Sequence, residues 1–95
     1  MARIRRLVLD VLKPNDVSTV EYATAVADVT GVDGVNVSLI ETDAEVQNVK
    51  LTVEGESVDF GRVSSVVAEL GGSVHSIDEV ACGETMVETG ETPQD

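Results

Sequence analysis

The hydrophobic period of this chain switches repeatedly between two residues and 3.6, and that order of switching constrains the fold more than any other feature. "IRRLVLDVL", residues 4–12, alternates as a strand does. "KPND" stops it, and Asn15 or Asp16 offers a cap for a following helix. Within "VSTVEYATAVADV", Thr19, Tyr22, Ala23, Val26 and Val29 form one stripe at helical spacing. "TGVDGV" ends that helix near Gly31. "VNVSLIETDAEV", 35–46, reads as a second strand, and "QNVKLTVEGE" follows closely enough to form a hairpin with it. Asp59 is placed to cap a second helix whose Phe60, Val63, Val67 and Leu70 share a face, and Gly71 and Gly72 end it. "SVHSIDEVAC" is the last strand, followed by the polar "GETMVETGETPQD".

The resulting order is strand, helix, strand, strand, helix, strand. Each strand–helix–strand crossover is long enough for the right-handed connection that parallel neighbours require. Two such units interleave into an α+β, ferredoxin-like split βαβ sandwich (βαββαβ). Four antiparallel strands are expected in the order 4-1-3-2, with both helices on one face. Residues 1–84 make one domain, and 85–95 are expected to form a flexible acidic tail.

Four stretches carry a resemblance: "IRRLVLDVLKP", "GVDGVN", "NVKLTVEG" and "ELGGSVHSIDEV". Together they resemble an archaeal family of uncharacterised ferredoxin-like proteins of about this length, matching from Arg3 to Glu84. The resemblance implies the fold and an archaeal origin. It implies no reaction.

Composition narrows the function classes. Six basic residues against eighteen acidic ones leave a net charge of -12. Nucleic acids and anionic membrane surfaces would repel such a chain, since phosphate binding rests on Lys and Arg. The chain is nevertheless 42% hydrophobic, unlike a disordered acidic segment. A folded aliphatic core inside an acidic, lysine-poor shell suits multimolar salt, where the Debye length shrinks to about 3 Å or less. That reading makes the protein halophilic; the plain alternative is an ordinary acidic protein. No stretch approaches a membrane span, and the apolar run after "MARIRR" is broken by Asp10, so a cytoplasmic location is expected. The single cysteine, Cys82, allows no internal disulfide and is expected to be a half-buried hydrophobe.

Alternation assigns faces. Leu7, Leu9 and Val11, with Val35, Val37, Leu39, Val49, Leu51 and Val53, should face the helices. Strand 4 alternates ambiguously; placing Val74 inward sends His75 outward. The outer face then carries Val8, Ile40 and Ile77 among Arg6, Asp10, Lys50, Thr52, His75 and Glu79, a mixture suited to an interface or a shallow ligand site. Asp10, His75 and Glu79 form the first candidate constellation, since neighbouring strands 1 and 4 bring carboxylates near the only histidine. The competing reading is a set of cross-strand polar pairs that fix register. Glu41, Asp43 and Glu45 form the second, an oxygen-only set of the type Ca²⁺ or Mg²⁺ prefers, without EF-hand spacing. A solvated acidic hairpin would look the same.

No nucleophile elbow, P-loop or dinucleotide fingerprint is present, and no cofactor is firmly implied. The chain therefore reads first as a non-enzymatic homo-oligomeric scaffold or small-ligand-binding regulator, its partner a second copy joined through the open face or through an edge, strand 2 or 4, with a ring as one form of closure. A divalent-cation-binding protein is the alternative, and a small enzyme built on Asp10, His75 and Glu79 comes third.

Overall fold

Leu7, Leu9 and Val11 are essentially inaccessible to solvent, and they alternate along β1 (Ile4–Pro14) with residues on the opposite face. This strand lies inside the sheet. The computed structural model describes residues 2–89, so the greater part of the tail expected over 85–95 lies outside the described residues. After β1 come α1 (Thr19–Ala27), β2 (Gly34–Thr42), β3 (Val46–Glu54), α2 (Phe60–Glu69) and β4 (Ser73–Cys82). The sheet order is β2-β3-β1-β4, and each neighbouring pair is antiparallel. The ferredoxin-like α+β fold expected from the periodicity is therefore the fold observed.

The helix N-termini follow local chemistry. α2 begins at Asp59, whose carboxylate accepts from the Arg62 N–H, as expected. α1 is capped by Ser18 rather than by Asn15 or Asp16. Ser18 Oγ accepts from the Glu21 N–H while the Glu21 carboxylate accepts from the Ser18 N–H, a reciprocal capping box. Asn15 instead donates to the carbonyls of Asp43 and Ala44, tying the end of β1 to the β2–β3 turn.

The core is aliphatic, built from β1, β3 and the inner stripes Tyr22–Val26–Val29 and Val63–Val67. Burial of this surface is the dominant stabilising term. Two polar groups sit within it. The Tyr22 hydroxyl donates to the carbonyls of Leu70 (3.2 Å) and Val67 (3.4 Å), so α1 supplies a donor to the C-terminal turn of α2. Gly72 makes room for this: a Cβ there would collide with the Tyr22 hydroxyl and lie 2.7 Å from the Leu12 carbonyl. Lys13 is 1% exposed. Its ammonium donates to the carbonyls of Pro14 and Val17 and stands 6.0 Å from the centre of the Tyr22 ring.

β4 departs from simple alternation. Its pairing with β1 runs Val11↔Val74, Asp10↔Ser76, Leu9↔Ile77, Val8↔Glu79 and Leu7↔Val80, so His75 and Asp78 are left over as bulge residues. Val74, Ile77 and Val80 consequently share the helix side, at a spacing of three. Val74 lies inward as expected. Ile77 does not belong to the outer face; it pairs with Leu9, yet stays 49% exposed on its edge strand. Leu39 behaves alike at the other edge: it pairs with Val49 but is 53% exposed. Ile40 is the extra residue of a bulge between Leu39 and Glu41 and is exposed. Cys82, expected to be half-buried, is exposed.

Candidate functional site

The face of the sheet away from the helices is polar. Its rows, read across β3, β1 and β4, are Glu54–Arg6–Ala81, Thr52–Val8–Glu79, Lys50–Asp10–Ser76 and Asn48–Leu12–Ser73. β2 adds Asn36, Ser38 and Glu41 opposite Thr52, Lys50 and Asn48. Val8 is the buried apolar residue at its centre. Removing Ile77 from this surface leaves it more hydrophilic than alternation alone suggests.

At one end of the face lies a concavity of about 300 Å³. Asp10 and Leu12 come to it from β1, Glu41 and Asp43 from β2 and its turn, Val46 and Asn48 from β3, and His75 from β4. The two constellations read separately from the sequence thus contribute to a single cleft. The bulge at Ile40 is what turns Glu41 to this face, because alternation from the inward Leu39 would otherwise send it to the helix side. Asn48 donates through Nδ2 to Asp10 Oδ1, which fixes the carboxylate on the cleft floor. The Asp43 carboxylate accepts from the Ala44 N–H at 3.0 Å, fixing the turn at the rim. Leu12 and Val46 add apolar wall.

Two predicted members are elsewhere. Glu45 does not line the cleft, and its carbonyl accepts from the Asn15 N–H. Glu79 is held by Arg6 at 3.0 Å, so the acid–base trio Asp10, His75 and Glu79 does not assemble. Among the described residues, no group of three or more His, Cys, Asp or Glu side chains is positioned to hold a metal ion. The arrangement offers acceptors for a cationic or hydrogen-bond-donating molecule larger than one ion.

Arg6 organises the far end of the same face. It binds Glu54 (2.7 Å), Glu79 (3.0 Å) and Glu88 (2.9 Å), one guanidinium among carboxylates from β3, β4 and the segment after β4. The bonds that Arg6 donates to Glu88, Glu54 and Glu79 push its pKa up, and Arg6 in turn holds the Glu88 carboxyl below its usual range. The Arg6–Glu54 pair was legible, since aligning the strands sets these residues opposite one another. The partnership with Glu88 was not, because no periodicity places a residue beyond the last strand. Burial of Lys13 had one signal: it shares the parity of Leu7, Leu9 and Val11.

No helix among the described residues is long and apolar enough to cross a membrane. Over its full length the chain is 43% identical to the uncharacterised protein MJ0319 of the archaeon Methanocaldococcus jannaschii, covering 98% of that protein. Residues 5–95 match the DUF211 family, described as "Uncharacterized ArCR". The βαββαβ chain, with its cleft on the uncovered sheet face, belongs to the DUF211 family of archaeal proteins.

Proposed function

We propose that this protein is a non-enzymatic binding module whose open-face cleft takes a small cationic ligand. The observation that carries the reading is the convergence of Asp10, Glu41, Asp43, Asn48 and His75, from all four strands and one turn, on one concavity. Carboxylates supply charge, Asn48 and His75 add directional hydrogen bonding, and Leu12 and Val46 offer apolar contact, a combination usual in small-molecule sites. An organic ammonium or guanidinium compound suits this lining better than bare Ca²⁺ or Mg²⁺, which need several oxygens converging at about 2.0–2.6 Å. The test is a panel of ammonium and guanidinium compounds, with Ca²⁺ and Mg²⁺, followed by amide shifts in NMR. Saturable shifts centred on Asn48 and His75, abolished by Asp10→Asn with Asp43→Asn, are expected for an organic cation. No saturable shift with any compound, or shifts centred elsewhere, refutes the reading. Saturation by the metal ions alone selects the divalent-cation alternative.

A second reading, the homo-oligomeric scaffold, is favoured by the edges. Leu39 and Ile40 on β2, and Ile77 and Val80 on β4, are each about half exposed. Leu39, Ile77 and Val80 continue the register of core residues onto the edge strands. Unpaired edges recruit partners, and two different edges on one chain suit head-to-tail closure into a ring. Light scattering should give a mass above that of one chain, and Ile40→Glu or Ile77→Glu should lower it. A wild-type mass equal to one chain refutes the scaffold. The acidic shell supports a halophilic setting, in which the melting temperature rises between about 0.1 M and about 2 M KCl as repulsion is screened; equal melting temperatures reject it.

A further inference from the structure

After Cys82 the chain turns at Gly83, whose φ of 101° lies in the region that strains other residues. The Gly83 N–H still donates to the Arg3 carbonyl at 2.9 Å, one more rung of the β1–β4 ladder. Arg5 then holds the root of the returning segment by donating to the carbonyls of Gly83 and Glu84, both at 3.1 Å. Further along, Glu88 accepts two bonds from Arg6, at 2.9 and 3.1 Å. Apolar burial does little for this stretch, since Val87 is 73% exposed.

Met86 nevertheless has a place. With Arg5, Asp33, Glu54 and Gly55 it lines a hollow of about 150 Å³. A larger hollow of about 360 Å³ adjoins it, and Asp33 and Glu54 line both. Arg6 meanwhile serves three carboxylates with one charge. Glu54 and Glu79 stand on strands fixed by their ladders, whereas Glu88 stands on a segment with no helix or strand of its own. Holding Glu88 orders chain that the fold does not otherwise order, so it is the partner most readily lost.

We propose that residues 84–89 form a salt-opened latch, shut by the Glu88–Arg6 contact, whose release takes Met86 out of the wall of the smaller hollow and widens that hollow at the Asp33–Glu54 end of the sheet. Glu54 and Glu79 keep Arg6 paired when Glu88 leaves, so the sheet is unchanged by opening. Salt is the opener because the contact lies in solvent, where the Debye length falls from about 10 Å at 0.1 M to about 3 Å at 1 M.

The experiment is the heteronuclear ¹H–¹⁵N NOE of the Met86 and Val87 amides, with β1 amides as reference. The wild type is measured at about 0.1 M and about 1 M KCl, and the variants Glu88→Gln and Glu54→Gln at the lower salt. Met86 and Val87 should match β1 in the wild type at low salt. They should drop well below it at high salt and in Glu88→Gln. In Glu54→Gln they should stay with β1, because that change removes a competitor for Arg6. A segment already loose in the low-salt wild type, unmoved by salt, unmoved by Glu88→Gln, or loosened equally by Glu54→Gln overturns the latch.

Discussion

The two faces of this sheet are made by the same strands and held by different physics. On the helix side, Leu9, Leu51 and Val53 are sealed by α1 and α2, and stability there is a matter of volume and packing. On the open side, Arg6, Asp10, Asn48 and Glu79 are tied pairwise across strands, and contacts there set register and shape a cleft. Val8 sits between these regimes, buried without a helix above it. The covered face makes the domain stable, and the open face is free to be specialised because little of the folding free energy depends on it.

The largest expected effect is on the covered face: Leu9→Ala should cost about 2–5 kcal/mol in urea unfolding, against about 1 kcal/mol for its neighbour Val8→Ala. Equal losses at the two positions would break the distinction. Next comes Lys13→Met, which keeps the apolar stem but leaves the Pro14 and Val17 carbonyls without their donor; about 1–3 kcal/mol should be lost. An unchanged midpoint would mean that Lys13 is dispensable to the core. Tyr22→Phe should cost about 1 kcal/mol and should alter the alkaline limb. Burial raises the Tyr22 pKa in the folded protein. The unfolded chain therefore loses this proton first, and stability should fall as pH rises above about 10. Tyr22→Phe should lose that component of the slope; an identical alkaline limb in both proteins refutes the assignment. The smallest effect belongs to the open face: His75→Ala should change stability by no more than about 1 kcal/mol, since the side chain is exposed. A loss comparable with that of Leu9→Ala would move His75 into the structural framework.

Element order and sheet topology were legible because β1, β3 and α2 keep clean periods; Leu7, Leu9 and Val11 cannot face two ways. The cap of α1 was equally legible in principle, as Ser18 precedes Glu21 by three residues, but the earlier Asn15 and Asp16 compete for the role. β4 was the hard element. Val74, Ile77 and Val80 match neither a period of two nor one of 3.6, and only the pairing with β1 reveals that His75 and Asp78 absorb the mismatch. A bulge also kept the cleft from being assembled from the sequence alone: Glu41 reaches the open face only because Ile40 interrupts the alternation after Leu39. Exposure of Leu39 and Ile77 is a further limit, since alternation assigns a face but says nothing of how fully each position on it is covered. The Arg6–Glu88 contact depends on a return of the chain after Gly83 that no local preference dictates.

The paired bulges of β4 bear on how this chain can change in length. Ordinarily a one-residue deletion within a strand turns every later side chain to the wrong face. Deleting His75 or Asp78 instead removes a residue already outside the alternation, leaving Val74, Ile77, Glu79 and Val80 on their present sides. Shortened variants at these two sites should therefore fold with the same core, whereas deletion of Thr52 in β3 should not; circular dichroism melts of the three would decide. The straighter β4 edge that results should be more prone to recruit other chains. Indels in this strand would then be limited by solubility rather than by foldability.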